Sequence, residues 1–267
     1  MKNIKTAFAA IVIPVALIIS VIIYMFVLGS PSNFIEGNTA GEPIKTGVGG
    51  YLGTIYKGGI IVPILITMLL VVITFTIERF LTINASKGKG SVDVFVNNVR
   101  TLLSQGDYQG VVNECDRQKG SVANVVKAGI GIYKQMEQDK ALDKERKILA
   151  IQKELEEATT LELPMLSKNL TIISTIASIA TLMGLLGTVI GMIRAFKALA
   201  QAGAPDAIAL STGISEALIN TALGILTSAI AIIFYNYFTS KIDALTYGID
   251  EAGYSIVQNF AAKNKEN

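Results

Sequence analysis

The sequence contains no histidine. That removes the commonest metal ligand and the usual acid–base residue near neutral pH. Its one cysteine, Cys115, leaves no intrachain disulfide. Triad catalysis and a zinc centre are therefore excluded as working readings, and neither an enzyme activity nor a cofactor is expected. Charge is scarce as well: 16% of residues are charged, against about a quarter in ordinary soluble chains. With 51% hydrophobic residues and a mean hydropathy of +0.51, the composition points to a membrane protein. A net charge of +2 is too small to argue for nucleic acid.

What the chain does have is long apolar runs. Residues 169–193 carry no charge, and residues 211–240 carry only Glu216. Each can cross a bilayer core of ~30 Å at about 1.5 Å per residue. Residues 7–28 are uncharged too, and longer than the apolar part of a signal peptide, so they read as a retained helix with Pro14 as a candidate kink. A further span over 58–77, in a helix running to 83, is bounded by Lys57 and by Glu78 and Arg79, a pair that reads as an interfacial anchor. Between these two spans, residues 29–57 are dense in glycine and proline. The run GVGGYLG lacks phosphate-loop spacing and reads as a surface loop.

Residues 84–168 are soluble in character, with Val92, Phe95, Val99, Leu102 and Leu103 at helical spacing. A charged helix from about 143 enters the third span. If unbroken to 199, it would be on the order of 85 Å long, with Pro164 as its expected interruption. In 241–267, Leu245, Ile249, Ala252, Ile256 and Phe260 mark an amphipathic helix that packs on a partner helix.

Four spans put both termini on one side. Lys2, Lys5, Arg79, Lys87, Lys89, Lys153, Lys168 and Lys241 flank that side, while Lys45, Lys57, Arg194 and Lys197 flank the other. The excess makes the 84–168 side cytoplasmic, and Arg194 and Lys197 must snorkel or pair outside.

Two of the spans carry polar chemistry. In the third, Gly184, Gly187, Thr188 and Gly191 supply small residues four apart, which let helices approach in lipid. Thr171, Ser174, Ser178, Thr181 and Thr188 form a hydroxyl stripe on one face. In the fourth, Glu216, Asn220, Gly224 and Thr227 share a face, with Thr221 and Ser228 beside it. A lone Ser or Thr usually bonds its own i−4 carbonyl. An acid in a span costs roughly 2.5–3.5 kcal/mol, so Glu216 marks a pathway or a partner contact.

The segment IASIATLMGLLGTVIGMIRAF, followed after a short loop by LSTGISEALINTALGILTSAIAIIFYN, resembles the signature of the MotA/TolQ/ExbB proton-channel family, in particular its ExbB branch. The resemblance covers about 58–262. It implies an all-α, polytopic membrane fold with long helices extending into the cytoplasm of a bacterium, in the inner membrane. It also implies a homopentamer around two copies of an ExbD-like single-span partner, whose membrane aspartate carries the proton, and a TonB-like protein that takes the work to outer-membrane transporters. In that correspondence Thr188, Thr221 and Glu216 are the proton-pathway residues, with Thr181 and Asn220 lining the same pore. Gly184, Gly187, Gly191 and Gly224 serve helix packing. Thr181 stands where many family members have proline, and the span 7–28 with its linker is additional to the family core.

The organisation expected is therefore an extra helix and linker over 1–57, a span over 58–83, a cytoplasmic helical region over 84–168, the pore-forming pair over 169–240 and a cytoplasmic amphipathic helix over 241–267. Membrane lipids are expected partners and nucleic acid is not. A TolQ-like envelope motor, a flagellar or gliding stator, an autonomous secondary transporter and a structural scaffold are the competing readings. A transporter would show internal repeats and helices broken at midplane, and a scaffold leaves Glu216 unexplained.

Overall fold

A computed structural model describes residues 2–39, 41–200 and 207–263. The short connection expected between the third and fourth spans and the last four residues of the C-terminal helix lie outside them. Among the described residues the chain is helical, with one isolated antiparallel bridge between Phe34 and Pro43. The α-helices are α1 (Lys2–Ile22), α2 (Gly47–Tyr56), α3 (Ile61–Lys87), α4 (Val92–Ser104), α5 (Tyr108–Gln118), α6 (Gly120–Gln138), α7 (Lys144–Ser167), α8 (Leu170–Leu199) and α9 (Ala207–Lys263). Four stretches, in α1, α3, α8 and α9, are long and apolar enough to cross a membrane. The chain divides into two compact units, Met1–Ile77 with Asn169–Tyr235, and Glu78–Lys168 with Asn236–Asn267.

In the first unit, α1 continues through Pro14 and then widens into a π turn over Ile23–Leu28. It packs on α3 through Ser20, whose hydroxyl meets that of Thr67 at 2.7 Å, and through an edge-on contact of Phe8 with Phe75 at 5.8 Å. Between Ala10 and Ile22 most other side chains of α1 are exposed and apolar, as at Ile11 and Ile18. Residues 29–57 are not a loose connection. Asn33 is buried and donates to the carbonyls of Val27 and Leu28, at 2.7 and 3.0 Å. The GVGGYLG run, read from sequence as a loop, forms most of α2. Glycine's low helix propensity is overridden by packing: Gly53 is buried where a Cβ would lie 2.7 Å from the Asn33 carbonyl oxygen, so only glycine allows the approach.

In the second unit the core is apolar. Phe95, Val99 and Leu103 of α4, Val111 of α5, Val126, Ile130 and Tyr133 of α6 and Ile151 of α7 are buried together with Leu245, Ile249, Ala252, Ile256 and Phe260 of α9. Residues 241–263 continue α9 without a break. Two helix starts are set by aspartate caps: Asp107 accepts from the Gly110 amide and Asp143 from the Arg146 amide, each at 2.8 Å. Such caps satisfy amides that the first turn leaves unpaired.

The helix expected to run from 143 to 199 is interrupted, and not at Pro164, which lies inside α7. The break falls at Lys168, which is extended, and at Asn169, which is left-handed at φ +64°. Asparagine tolerates that region, whereas Pro164 forgoes one backbone hydrogen bond without ending α7. Arg79 is buried and paired with Glu78, and it donates to the Met165 and Leu166 carbonyls at 3.2 Å each. The expected interfacial anchor is thus a clamp on the last turn of α7, where unpaired carbonyls favour a cation.

Candidate functional site

The first unit concentrates its polar side chains where α8 meets the first half of α9. The two helices touch through residues without bulk. A Cβ on Gly191 would stand 2.7 Å from the Ala217 amide nitrogen and the Gly213 carbonyl oxygen, and one on Gly184 would stand 3.0 Å from the Asn220 carbonyl oxygen. A Cβ on Gly224 would sit 2.6 Å from the Ala180 carbonyl oxygen, and one on Gly187 would overlap the Asn220 side chain. All four glycines singled out by spacing lie in this seam and are buried. Gly213, on the α9 side, belongs to it too and was not singled out. Its spacing to Ala217 was the available signal.

The close approach brings hydroxyls together. Thr188 and Thr221 are half-buried and hydrogen-bond each other across the seam. Each also lies within reach of a carbonyl: Thr188 of Gly184 at 3.1 Å, Thr221 of Ala217 at 3.2 Å. Two hydroxyl protons therefore face three acceptors, counting the mutual bond. One carbonyl always goes without, and a small rotation exchanges which. Such a pair donates to a carboxylate or accepts from a carboxylic acid without ionising itself.

Glu216 is buried, and both its oxygens accept from Nη1 of Arg194, at 2.6 and 2.7 Å. The burial is lopsided, with 4% of the Glu216 side chain exposed against 53% for Arg194. The pairing answers the question that an acid in a span raises: the carboxylate is covered by protein, while the guanidinium stays half exposed on this chain. Sequence reasoning left Arg194 only as a charge needing a partner. The two flanking charges were the signal. The Gly58–Gly59 turn before α3 completes the surround. Gly59 has φ +75°, and a Cβ there would lie 2.5 Å from a Glu216 oxygen. The Gly58 carbonyl accepts from Nδ2 of Asn220 at 2.8 Å, leaving the buried Oδ1 of Asn220 without a partner.

Thr181 is exposed and is not brought to the Thr188–Thr221 pair. It lies two turns earlier on the same face of α8, and most of the hydroxyl stripe is open within this chain, Thr171 and Ser178 included. Ser174 and Thr175 both donate back to the Thr171 carbonyl, the local bonding expected of isolated hydroxyls. Ser228 instead bonds across to the Ala177 carbonyl and stitches α9 to α8. Among the described residues no cluster of three or more Cys, Asp or Glu could hold a metal ion.

Residues 122–251, which include α8 and the polar half of α9, match the MotA/TolQ/ExbB proton channel family. The chain belongs to this family. Among its relatives, the putative biopolymer transport protein ExbB-like 3 of Synechocystis sp. is 40% identical over 88 residues, covering 32% of this chain and 42% of that protein. The biopolymer transport protein ExbB of Helicobacter pylori is 42% identical over 81 residues, 30% of this chain and 56% of that protein. The Tol-Pal system protein TolQ of Pseudomonas aeruginosa is 26% identical over 184 residues, 68% of this chain and 79% of that protein. The match thus spans about half the length of the two ExbB relatives. With the four apolar helices, membership makes the chain a multi-pass membrane protein of a proton-channel family. ExbB and TolQ relatives both occur, and α1 and the Gly58–Gly59 turn lie outside the family match.

Proposed function

We propose that this chain is the stator-forming subunit of a proton-driven motor in a bacterial inner membrane, with both termini and residues 84–168 in the cytoplasm. In this reading it assembles as a homopentamer around two copies of an ExbD-like partner. The partner's membrane aspartate carries the proton, and a TonB-like protein delivers the work to outer-membrane transport. The observation that carries it is the Thr188–Thr221 pair set in the glycine seam beside a carboxylate already bound to arginine. The site can solvate a carboxylate or a carboxylic acid, yet its one acid is held in an ion pair, so the mobile proton needs a carrier from another chain. Exposed Thr181 extends the same face toward such a carrier, and buried Asn220 holds the Gly58 turn against the site. Helix α1 packs on the outside of the assembly, through α3.

A TolQ-like motor of the cell envelope is the second reading, favoured by the length of chain matched by the Pseudomonas protein. Both readings share the site and differ in the protein that takes up the work. The test is proton flux in proteoliposomes holding this chain with an ExbD-like single-span partner. Thr188→Val with Thr221→Val is expected to abolish partner-dependent flux while the oligomer still forms. Flux retained in the double variant, or flux from this chain alone, overturns the proposal.

A further inference from the structure

The second unit contains a cavity of about 280 Å³ that the proton site does not use. It lies between the last turns of α3, the start of α4 and the part of α9 just past its apolar run. Phe80, Tyr237, Lys87, Lys241, Ser91 and Asp93 line it. Its position along the helices is specific. Lys241 is the first charge in α9 after Glu216, so residues 217–240 pass uncharged before it, and α3 is uncharged from Ile61 to Ile77. Those are the depths at which a helix leaves hydrocarbon for headgroups, where aromatic rings and long cations concentrate.

The charge pattern is unbalanced. Among the described residues neither lysine ammonium forms an ion pair, and Lys241 lies over the Tyr237 ring at 5.6 Å from its centre. Asp93 borders the same cavity without neutralising either lysine, so two cations face one carboxylate. Ser91 caps the start of α4 with no side-chain hydrogen bond to the helix, leaving its hydroxyl free to donate into the cavity. The aromatic walls are covered only in part: Phe80 is 48% exposed and Tyr237 44%. A small soluble anion would use the lysines and leave that apolar surface uncovered. A molecule with a phosphate at one end and hydrocarbon at the other satisfies both.

We propose that this cavity binds the headgroup of an acidic phospholipid, with Lys87 and Lys241 on the phosphate, Ser91 donating to it, and Phe80 and Tyr237 against the glycerol and upper acyl carbons. Asp93 accepts from headgroup hydroxyls. The site goes beyond proton transfer, and its test does not depend on flux.

The experiment is native mass spectrometry of the full chain, delipidated in detergent and titrated with phosphatidylglycerol or phosphatidylcholine. The wild type is expected to hold phosphatidylglycerol in preference to phosphatidylcholine. Lys87→Gln with Lys241→Gln should lower phosphatidylglycerol affinity about thirtyfold, the scale set by two surface cations, and leave phosphatidylcholine unchanged. Lys87→Arg with Lys241→Arg should keep the preference. Ala244→Phe, which fills the cavity without touching a charge, should reproduce the loss, and Lys144→Gln with Lys153→Gln on α7 should not. An absent preference, or one that survives both the glutamine pair and Ala244→Phe, overturns the proposal. Displacement of phosphatidylglycerol by millimolar inorganic phosphate overturns it in favour of a soluble anion.

Discussion

Helix α9 packs twice, by two different rules. Gly213, Ala217, Asn220, Gly224, Thr227 and Ala231 are buried in its first half, and Phe238, Leu245, Ile249, Ala252, Ile256 and Phe260 in its second. Apart from the seven-residue step from Phe238 to Leu245, spacings of three and four run through both series, so the repeat stays the same while residue size changes. In lipid, apolar side chains gain nothing from leaving their solvent, and helices associate through close backbone approach and interhelical hydrogen bonds. In water, burial of large side chains supplies the drive, at about 25 cal/mol per Å². In the proposed topology the size switch falls where the helix leaves the bilayer.

The largest expected break of that comparison is Gly191→Leu. A side chain there meets the backbone of Ala217 and Gly213 and forces α8 from α9, so thermal melting in detergent should lose its main transition or fall by about 4–16 °C, on the order of 2–4 kcal/mol of overpacking. Gly131→Ala in α6, where a Cβ meets nothing, should instead be neutral or stabilise by about 0.5–1 kcal/mol. Equal losses in the two variants would end the distinction between the halves.

Arg194→Ala comes next. It strands the Glu216 carboxylate under protein, at a cost of about 2–4 kcal/mol, less than for a fully buried pair because Arg194 is half exposed. Adding Glu216→Gln should restore most of the melting temperature. No restoration would mean that Arg194 acts through packing and not through charge.

A smaller effect tests the second unit. Asp143→Ala removes the cap of α7 and should cost about 1 kcal/mol, read as a lower denaturant midpoint, with no change in the α8–α9 seam. The smallest effect concerns Cys115, whose thiol burial holds up to about 12, with the Asp116 charge adding to the shift. The folded thiol keeps its proton while an unfolded one begins to lose it near pH 9. Its contribution to stability is whole below that pH and declines as pH rises toward 12. Maleimide labelling at pH 8 should accordingly be slow until the chain is unfolded.

How much was legible beforehand differs between residues for physical reasons. The four apolar runs, the packing glycines and the core stripe from Leu245 to Phe260 are periodic, and periodicity is local information. Phe95, Val99 and Leu103 were found in the same way, and all are buried. Where the signal was conformational it misled. Gly-rich α2 looked like a loop because propensity knows nothing of the Asn33 carbonyl against which it packs, and Pro164 looked like the break that Asn169 makes.

By itself, the sequence determined that this chain is helical, that it carries membrane-length segments, and that Thr188, Thr221 and Glu216 sit on two uncharged runs. Only the tertiary structure decided what those residues do to one another. It joined Thr188 to Thr221, gave Glu216 to Arg194, left Thr181 facing outward and turned Arg79 into a clamp on α7. The reason is range: a face is written in neighbours three and four apart, whereas a hydrogen bond between helices depends on how closely two backbones approach, and here glycine sets that distance.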